Sequence, residues 1–148
     1  MLARTTEYAI RALVYIELKR LKGERPGFRE IAREIDSPEH FTAKIMQVLT
    51  RHGIVESAKG RGGGFFFTQV PKISVYTVIK AMEGERIFTK CGLGLKDCND
   101  IHPCPIHKEY AVIRQTYLDM VTNNTIADLA EKINNGEAVL SRLTVSSG

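Results

Sequence analysis

The chain has no tryptophan, only three cysteines among 148 residues, and no apolar run of membrane-spanning length. A membrane-spanning helix needs roughly 20 consecutive apolar residues, so an integral membrane protein is not expected. The N-terminal stretch to Arg20 has apolar positions, but Arg4, Glu7, Arg11 and Glu17 interrupt them. A signal peptide requires an unbroken apolar centre, so the chain is read as cytoplasmic. In a reducing compartment, three thiols suggest ligands or reactive groups before a disulfide framework. Internal repeats and low-complexity tracts are also missing. So are an HExxH helix, a nucleotide-binding glycine fingerprint and a Ser/His/Asp set, which argues against an enzyme.

What is present is an ordinary globular composition, 43% hydrophobic and 26% charged, with a net charge of +4 and a pI near 9.0. The positive excess is one-sided. Residues 1–65 carry 12 Lys/Arg against 8 Asp/Glu, and residues 66–148 carry 9 against 9. A basic N-terminal half beside a neutral C-terminal half fits a nucleic-acid-binding module followed by something else.

Apolar spacing predicts a first helix from Ala3 to Leu21, with Thr5 or Thr6 able to cap it. A short second helix runs from Phe28 to Ile35. Ser37 is a plausible N-cap for a third helix, with Pro38 at its first position. The third helix carries Phe41, Ile45, Val48, Leu49 and His52 on its apolar face and stops at Gly53. Strands are expected over Ile54–Lys59 and Phe65–Thr68, joined by the turn Gly60-Arg61-Gly62-Gly63-Gly64. A fourth helix follows from Ser74 to Met82.

Residues 84–105 lose all periodicity and read as a long, functional loop. A long helix returns from about Ile106 to Val121. Thr125-x-x-Asp128 is a capping box for a last helix bearing Ile126, Leu129, Ala130 and Ile133.

Helix, helix, helix, hairpin is the order of a winged helix-turn-helix. In that fold the third helix enters the major groove and the wing reaches the neighbouring backbone. The predicted fold is mainly α with a small β-hairpin and a long dimerisation helix. Its segments are a DNA-binding domain over 1–83, a cysteine sensor loop over 84–105, a dimerisation and C-terminal helix over 106–136, and a tail over 137–148.

Candidate DNA contacts are His40, Thr42, Lys44, Gln47 and Arg51 on the third helix, with Lys59 and Arg61 on the wing. Lysine and glutamine match guanine and adenine edges respectively. Arg61, set among four glycines at a hairpin tip, has little to pack against. The glycines there permit close backbone approach, which a phosphate or groove can exploit.

The cysteines form Cys91-x6-Cys98-x5-Cys104, followed by His107. Three thiolates and one imidazole suit either tetrahedral zinc or an iron–sulfur cluster, and ligand softness excludes calcium and magnesium. His102, preceding Pro103, is the weaker imidazole candidate.

These features together resemble the IscR/NsrR/RirA family of bacterial winged-helix regulators. The likeness covers about residues 1–135. It rests on Thr5-Thr6-Glu7-Tyr8-Ala9-Ile10-Arg11-Ala12-Leu13, on Leu49-x3-Gly53-Ile54-Val55, on the wing Gly60–Phe65, and on Pro103-Cys104-Pro105-Ile106-His107. The resemblance implies a homodimeric repressor or other transcriptional regulator on a near-palindromic DNA operator.

It further implies an iron–sulfur cluster, 2Fe–2S favoured and 4Fe–4S possible, on Cys91, Cys98 and Cys104. The signal would be iron, redox or nitric oxide status. One branch uses a histidine just after the third cysteine, here His107. The other uses an acidic residue near the N-terminus of the second protomer, here Glu7. Some relatives use thiol oxidation or zinc instead. Pairing would run along the stripe Tyr110, Ile113, Tyr117 and Val121.

Overall fold

The computed structural model describes residues 2–142. It contains α1 (Arg4–Arg20), α2 (Phe28–Glu34), α3 (Glu39–Arg51), β1 (Glu56–Ala58), β2 (Gly64–Phe66), α4 (Val75–Glu83), a 3-10 turn (Arg86–Phe88), α5 (His107–Asn123) and α6 (Ile126–Asn134). The tail residues 143–148 lie outside the described ones.

Helix α1 is the centre of the fold. Ala9, Ala12, Leu13 and Ile16 are fully buried, and α2, α3, α4, α6 and the wing all pack on it. The two alanines have no bulk beyond Cβ, so neighbouring helices approach closely there. The expected cap from Thr5 or Thr6 is not what closes α1. Its N-cap position is Ala3, and the cap comes from α4. Glu83 accepts from the Ala3 amide at 3.0 Å and from the buried Thr6 hydroxyl at 2.5 Å. A carboxylate at a helix N-terminus meets both the orphan amides and the favourable end of the dipole.

The turn into α3 also differs from expectation. Pro38 is the N-cap itself, not the first helical residue. Its carbonyl accepts from the Thr42 amide at 3.0 Å and the Thr42 hydroxyl at 2.9 Å. Asp36 takes the left-handed φ of 54° that the tight turn requires. At the other end, Gly53 behaves as the sequence predicts. Its φ is +70°, and the Ile54 amide returns to the Leu49 carbonyl at 3.0 Å, which is a Schellman closure.

The wing is shorter than predicted, with three residues per strand paired antiparallel through Glu56–Phe66, Ser57–Phe65 and Ala58–Gly64. β2 spends its next donor on the α1–α2 loop, where the Phe65 amide reaches the Pro26 carbonyl at 2.8 Å. Two of the glycines are explained by crowding within the protein. A Cβ on Gly63 would stand 2.3 Å from the Ala58 carbonyl, and one on Gly64 would stand 2.3 Å from the Arg25 carbonyl. At these two positions close approach serves the hairpin and its dock.

The predicted loop over 84–105 is irregular apart from the 3-10 turn. That turn buries Phe88 between Tyr76 and Tyr117, at ring distances of 5.3 and 6.0 Å. After α5 the chain turns back and is stitched to the segment before α4. Val75 donates to Asn124, Ile126 to Ile73, and Ala127 to Pro71. Helix α6 then lays Ile126 and Ala130 into the core around α1. The C-terminal helix is thus part of the same core as the N-terminal module.

The Thr125 capping box forms as predicted, with reciprocal bonds to Asp128 of 3.0 and 2.9 Å. These bonds, the backbone amide first, hold the Asp128 carboxyl below its usual range. Thr125→Ala should cost about 1 kcal/mol in urea unfolding, the usual worth of an N-cap. A lowered folded-state pKa stabilises above the unfolded value and is lost as pH falls through it. The difference between wild type and variant should therefore shrink in acid.

Candidate nucleic-acid interface and cysteine site

Helix α3 buries Thr42, Ile45, Met46 and Leu49. This stripe is rotated from the predicted one. Met46, 1% exposed, takes the place expected of Phe41, which is 43% exposed. Thr42, expected to face DNA, is 1% exposed. It can be buried because its hydroxyl is satisfied locally, by the Pro38 carbonyl and by the Ser37 hydroxyl at 2.5 Å. It is therefore a turn-fixing residue and is withdrawn from the DNA face.

His40, Lys44, Gln47 and Arg51 are exposed as expected, and so are Lys59 and Arg61 of the wing. Sequence reasoning missed Arg25. Its guanidinium lies 3.8 Å from the ring centre of Phe66 and clasps the base of the wing. The partners are 41 residues apart by number, 25 to 66, and nothing local in Arg25-Pro26-Gly27 announces the contact.

The three cysteine thiols are free, with Cys91 and Cys104 buried and Cys98 half-buried. Cys91 receives the Leu93 amide at 3.4 Å. The Leu93 amide first, then that of Leu95, stabilises the thiolate and lowers its pKa. Burial pushes the Cys104 thiol up. Its hydrogen bond to Cys91 and the charges of Cys91 and Cys98 push it further. Cys98 lies 3.4 Å from His107 Nδ1 and accepts from Arg114 Nη1 at 3.2 Å. Arg114 also donates to the Lys90 carbonyl at 2.9 Å. The arginine thus ties the loop to α5, a role invisible in the cysteine spacing.

His107 Nε2 meets Asp100 Oδ1 at 2.5 Å, so the loop brings His107 to the cysteines. His102 is exposed. Glu7 is exposed on α1, lining an open groove of about 650 Å³ with Leu2, Ile10, Arg11 and Asp36. Among the described residues, no group of three or more His, Cys, Asp or Glu side chains stands in position to hold a metal ion.

The stripe predicted on α5 divides. Ile113 is 58% exposed, Tyr110 and Tyr117 are half-buried, and Val121 is 2% exposed. Val121 packs with Val75, Ile79 and Phe88 in the protein's own core, because α4 and the 3-10 turn cover that side of the helix. It is therefore not free for pairing. The exposed apolar residues are Ile106, Val112, Ile113 and Met120. Ile106, Ile113 and Met120 recur every seven residues, so they share one face.

No helix of the described residues is long and apolar enough to cross a membrane. Residues 2–132 match the Rrf2 family, described as an iron-dependent transcriptional regulator. The transcriptional repressor NsrR of Streptomyces coelicolor is 31% identical over 106 residues, spanning 71% of this chain and 67% of that one. Among solved structures, CymR, the global cysteine regulator of B. subtilis, superimposes with a TM-score of 0.72 at 18% identity, over 88% of this chain and 96% of that one. IscR of T. potens gives 0.71 at 16% identity, over 94% and 92%. The two structural matches carry the fold, and the winged helix-turn-helix reading is borne out. With its family match running through the DNA-binding helices, the cysteine loop and α5, the chain belongs to the Rrf2 family of transcriptional regulators and is a DNA-binding regulator, not an enzyme.

Proposed function

We propose that the protein is a homodimeric regulator on a near-palindromic operator, and that an iron–sulfur cluster on Cys91, Cys98 and Cys104 modulates its DNA binding. The observation that carries this reading is that three free thiols fall within the one segment joining α4 to α5, with Cys98 held by Arg114 of α5. The donor chemistry fits the group. Cys91 receives the Leu93 amide at 3.4 Å, and Cys98 receives Arg114. Hydrogen bonds to sulfur are among the features that tune such clusters. A cluster bound there supplies a redox centre that oxidants, nitric oxide or iron depletion alter.

His107 is the fourth ligand in this reading, because it already touches Cys98. Its Nδ1 faces Cys98 and its Nε2 holds Asp100, as ligating histidines commonly hold a carboxylate on the other nitrogen. Glu7 of the second copy is the competing ligand. Arg51, Lys59 and Arg61 neutralise phosphates, Lys44 and Gln47 reach base edges, and His40 lies beside them on α3. The exposed α5 face around Ile113 pairs with its copy across a two-fold axis.

A second reading is favoured by one observation, that Cys91 and Cys104 are both buried free thiols, each of which perturbs the other. Oxidation of those two thiols to a disulfide would pass two electrons and two protons to an oxidant, with no metal involved. Iron and sulfide counts on anaerobically purified protein separate the two readings.

Three outcomes are expected. Arg61→Ala should weaken binding to every duplex and reduce the slope of log affinity against log salt by about one. Titration of the variant at several salt concentrations checks this, and unchanged affinity would remove the wing from the interface. Ile113→Asp should sediment as a monomer and bind operator poorly. A monomeric wild type would refute the pairing. Alanine at any of the three cysteines should abolish the visible spectrum of the anaerobic protein, and His107→Ala should shift it. A normal spectrum in His107→Ala with a shifted one in Glu7→Ala would hand the fourth position to Glu7.

A further inference from the structure

We infer that Phe41 is a specificity-determining residue that seats its ring against the C5-methyl group of a thymine in the major groove. The inference rests on α3 being the recognition helix and goes beyond the polar contacts assigned to it above.

Helix α3 makes an unusual choice at its first turn. It buries the hydroxyl-bearing Thr42 and leaves the neighbouring phenylalanine 43% exposed. Apolar burial drives folding, so the local sequence alone would favour the reverse. The arrangement persists because the Ser37 and Pro38 turn satisfies the Thr42 hydroxyl and fixes the rotation of the helix. Ile45, Met46 and Leu49 fill the core below. Phe41 is held outward, its ring tilted 35° against that of His40 at a centroid distance of 4.4 Å. Its exposed neighbours on α3 are His40, Lys44, Gln47 and Arg51. The ring is the large apolar group at the head of an otherwise cationic and amide-bearing face.

The residues at the start of a recognition helix are those that reach base edges. The edges exposed in the major groove are hydrogen-bond donors and acceptors, except for the thymine methyl group, which apolar side chains including phenylalanine contact. Lys44 and Gln47, three and six residues further on, read polar edges. Phe41 supplies the complementary apolar contact, so it reads the one feature of thymine that hydrogen-bonding side chains do not. The histidine contact orients the ring and limits the rotamers it must lose on binding.

The test uses a duplex selected by the wild-type chain from a randomised pool. Each thymine of the selected half-sites is replaced in turn by deoxyuridine, which removes only the methyl group. Affinity is read by fluorescence anisotropy for wild type, Phe41→Ala and Gln47→Ala. Deoxyuridine at one half-site position should weaken the wild type about fourfold per methyl, the factor expected for losing one buried methyl group. Phe41→Ala should bind the thymine and deoxyuridine duplexes alike, while Gln47→Ala keeps the discrimination. Circular dichroism and the salt slope of Phe41→Ala should match wild type, since the ring contributes little to the core.

A scan with no sensitive thymine would overturn the proposal, as would a methyl penalty that survives in Phe41→Ala. The docking reading fails separately. If Arg61→Ala binds like wild type, α3 and the wing are misplaced. If Arg61 matters and the deoxyuridine scan is flat, only the role of Phe41 falls. Failure of the wild type to select any duplex removes both.

Discussion

From Ala12 to Glu17, six consecutive residues of α1 are buried. Six residues exceed one and a half helical turns, so the helix has no solvent side there and must be enclosed from every direction. That enclosure dictates the arrangement of the rest. Helices α2 and α3 close one side, α4 and α6 close another, and the wing touches what is left. It also sets a condition on Glu17, 3% exposed, whose carboxyl oxygens accept from Arg20 at 2.5 and 3.1 Å. Burial of a charge without such a partner would be costly.

Because α1 touches both the recognition helix and α4, the cysteine loop and the DNA face are never far apart mechanically. Glu83, the last residue of α4, caps α1, and the chain enters the loop at Gly84 with φ +82°. At its far end the same loop is fastened to α5 through Arg114. The segment that carries the cysteines is therefore tied to the α1 cap at one end and to α5 at the other. Any ligand acting there shifts DNA binding only by its unequal affinity for two arrangements of the chain.

The elements legible in the sequence were those with local punctuation. Thr125-x-x-Asp128 and Gly53 mark helix ends through contacts three to five residues away, and both ends form as read. The contact of His107 with Cys98 was legible for the same reason. What could not be read depends on distance or on competition. The cap on α1 comes from a residue 80 positions away, and Arg25 and Arg114 find their partners through the fold. The rotation of α3 was hidden because hydrophobicity ranks phenylalanine above threonine, whereas the turn at Ser37–Pro38 reverses that order. Val121 carried the right period for a dimer stripe, but α4 and Phe88 reach it first.

The return of α6 bears on how this architecture can be taken apart. Ile126 and Ala130 occupy the α1 core, and three backbone hydrogen bonds sew the α5–α6 turn to residues 71–75. A fragment ending at residue 83 would leave an open trough along α1 and unpaired polar groups beside it. DNA reading and signal reception are thus not interchangeable cassettes. A chimera joining this sensor segment to a foreign winged helix would have to import the matching α1 surface as well, and sequence change in α1 is answerable to both ends of the chain.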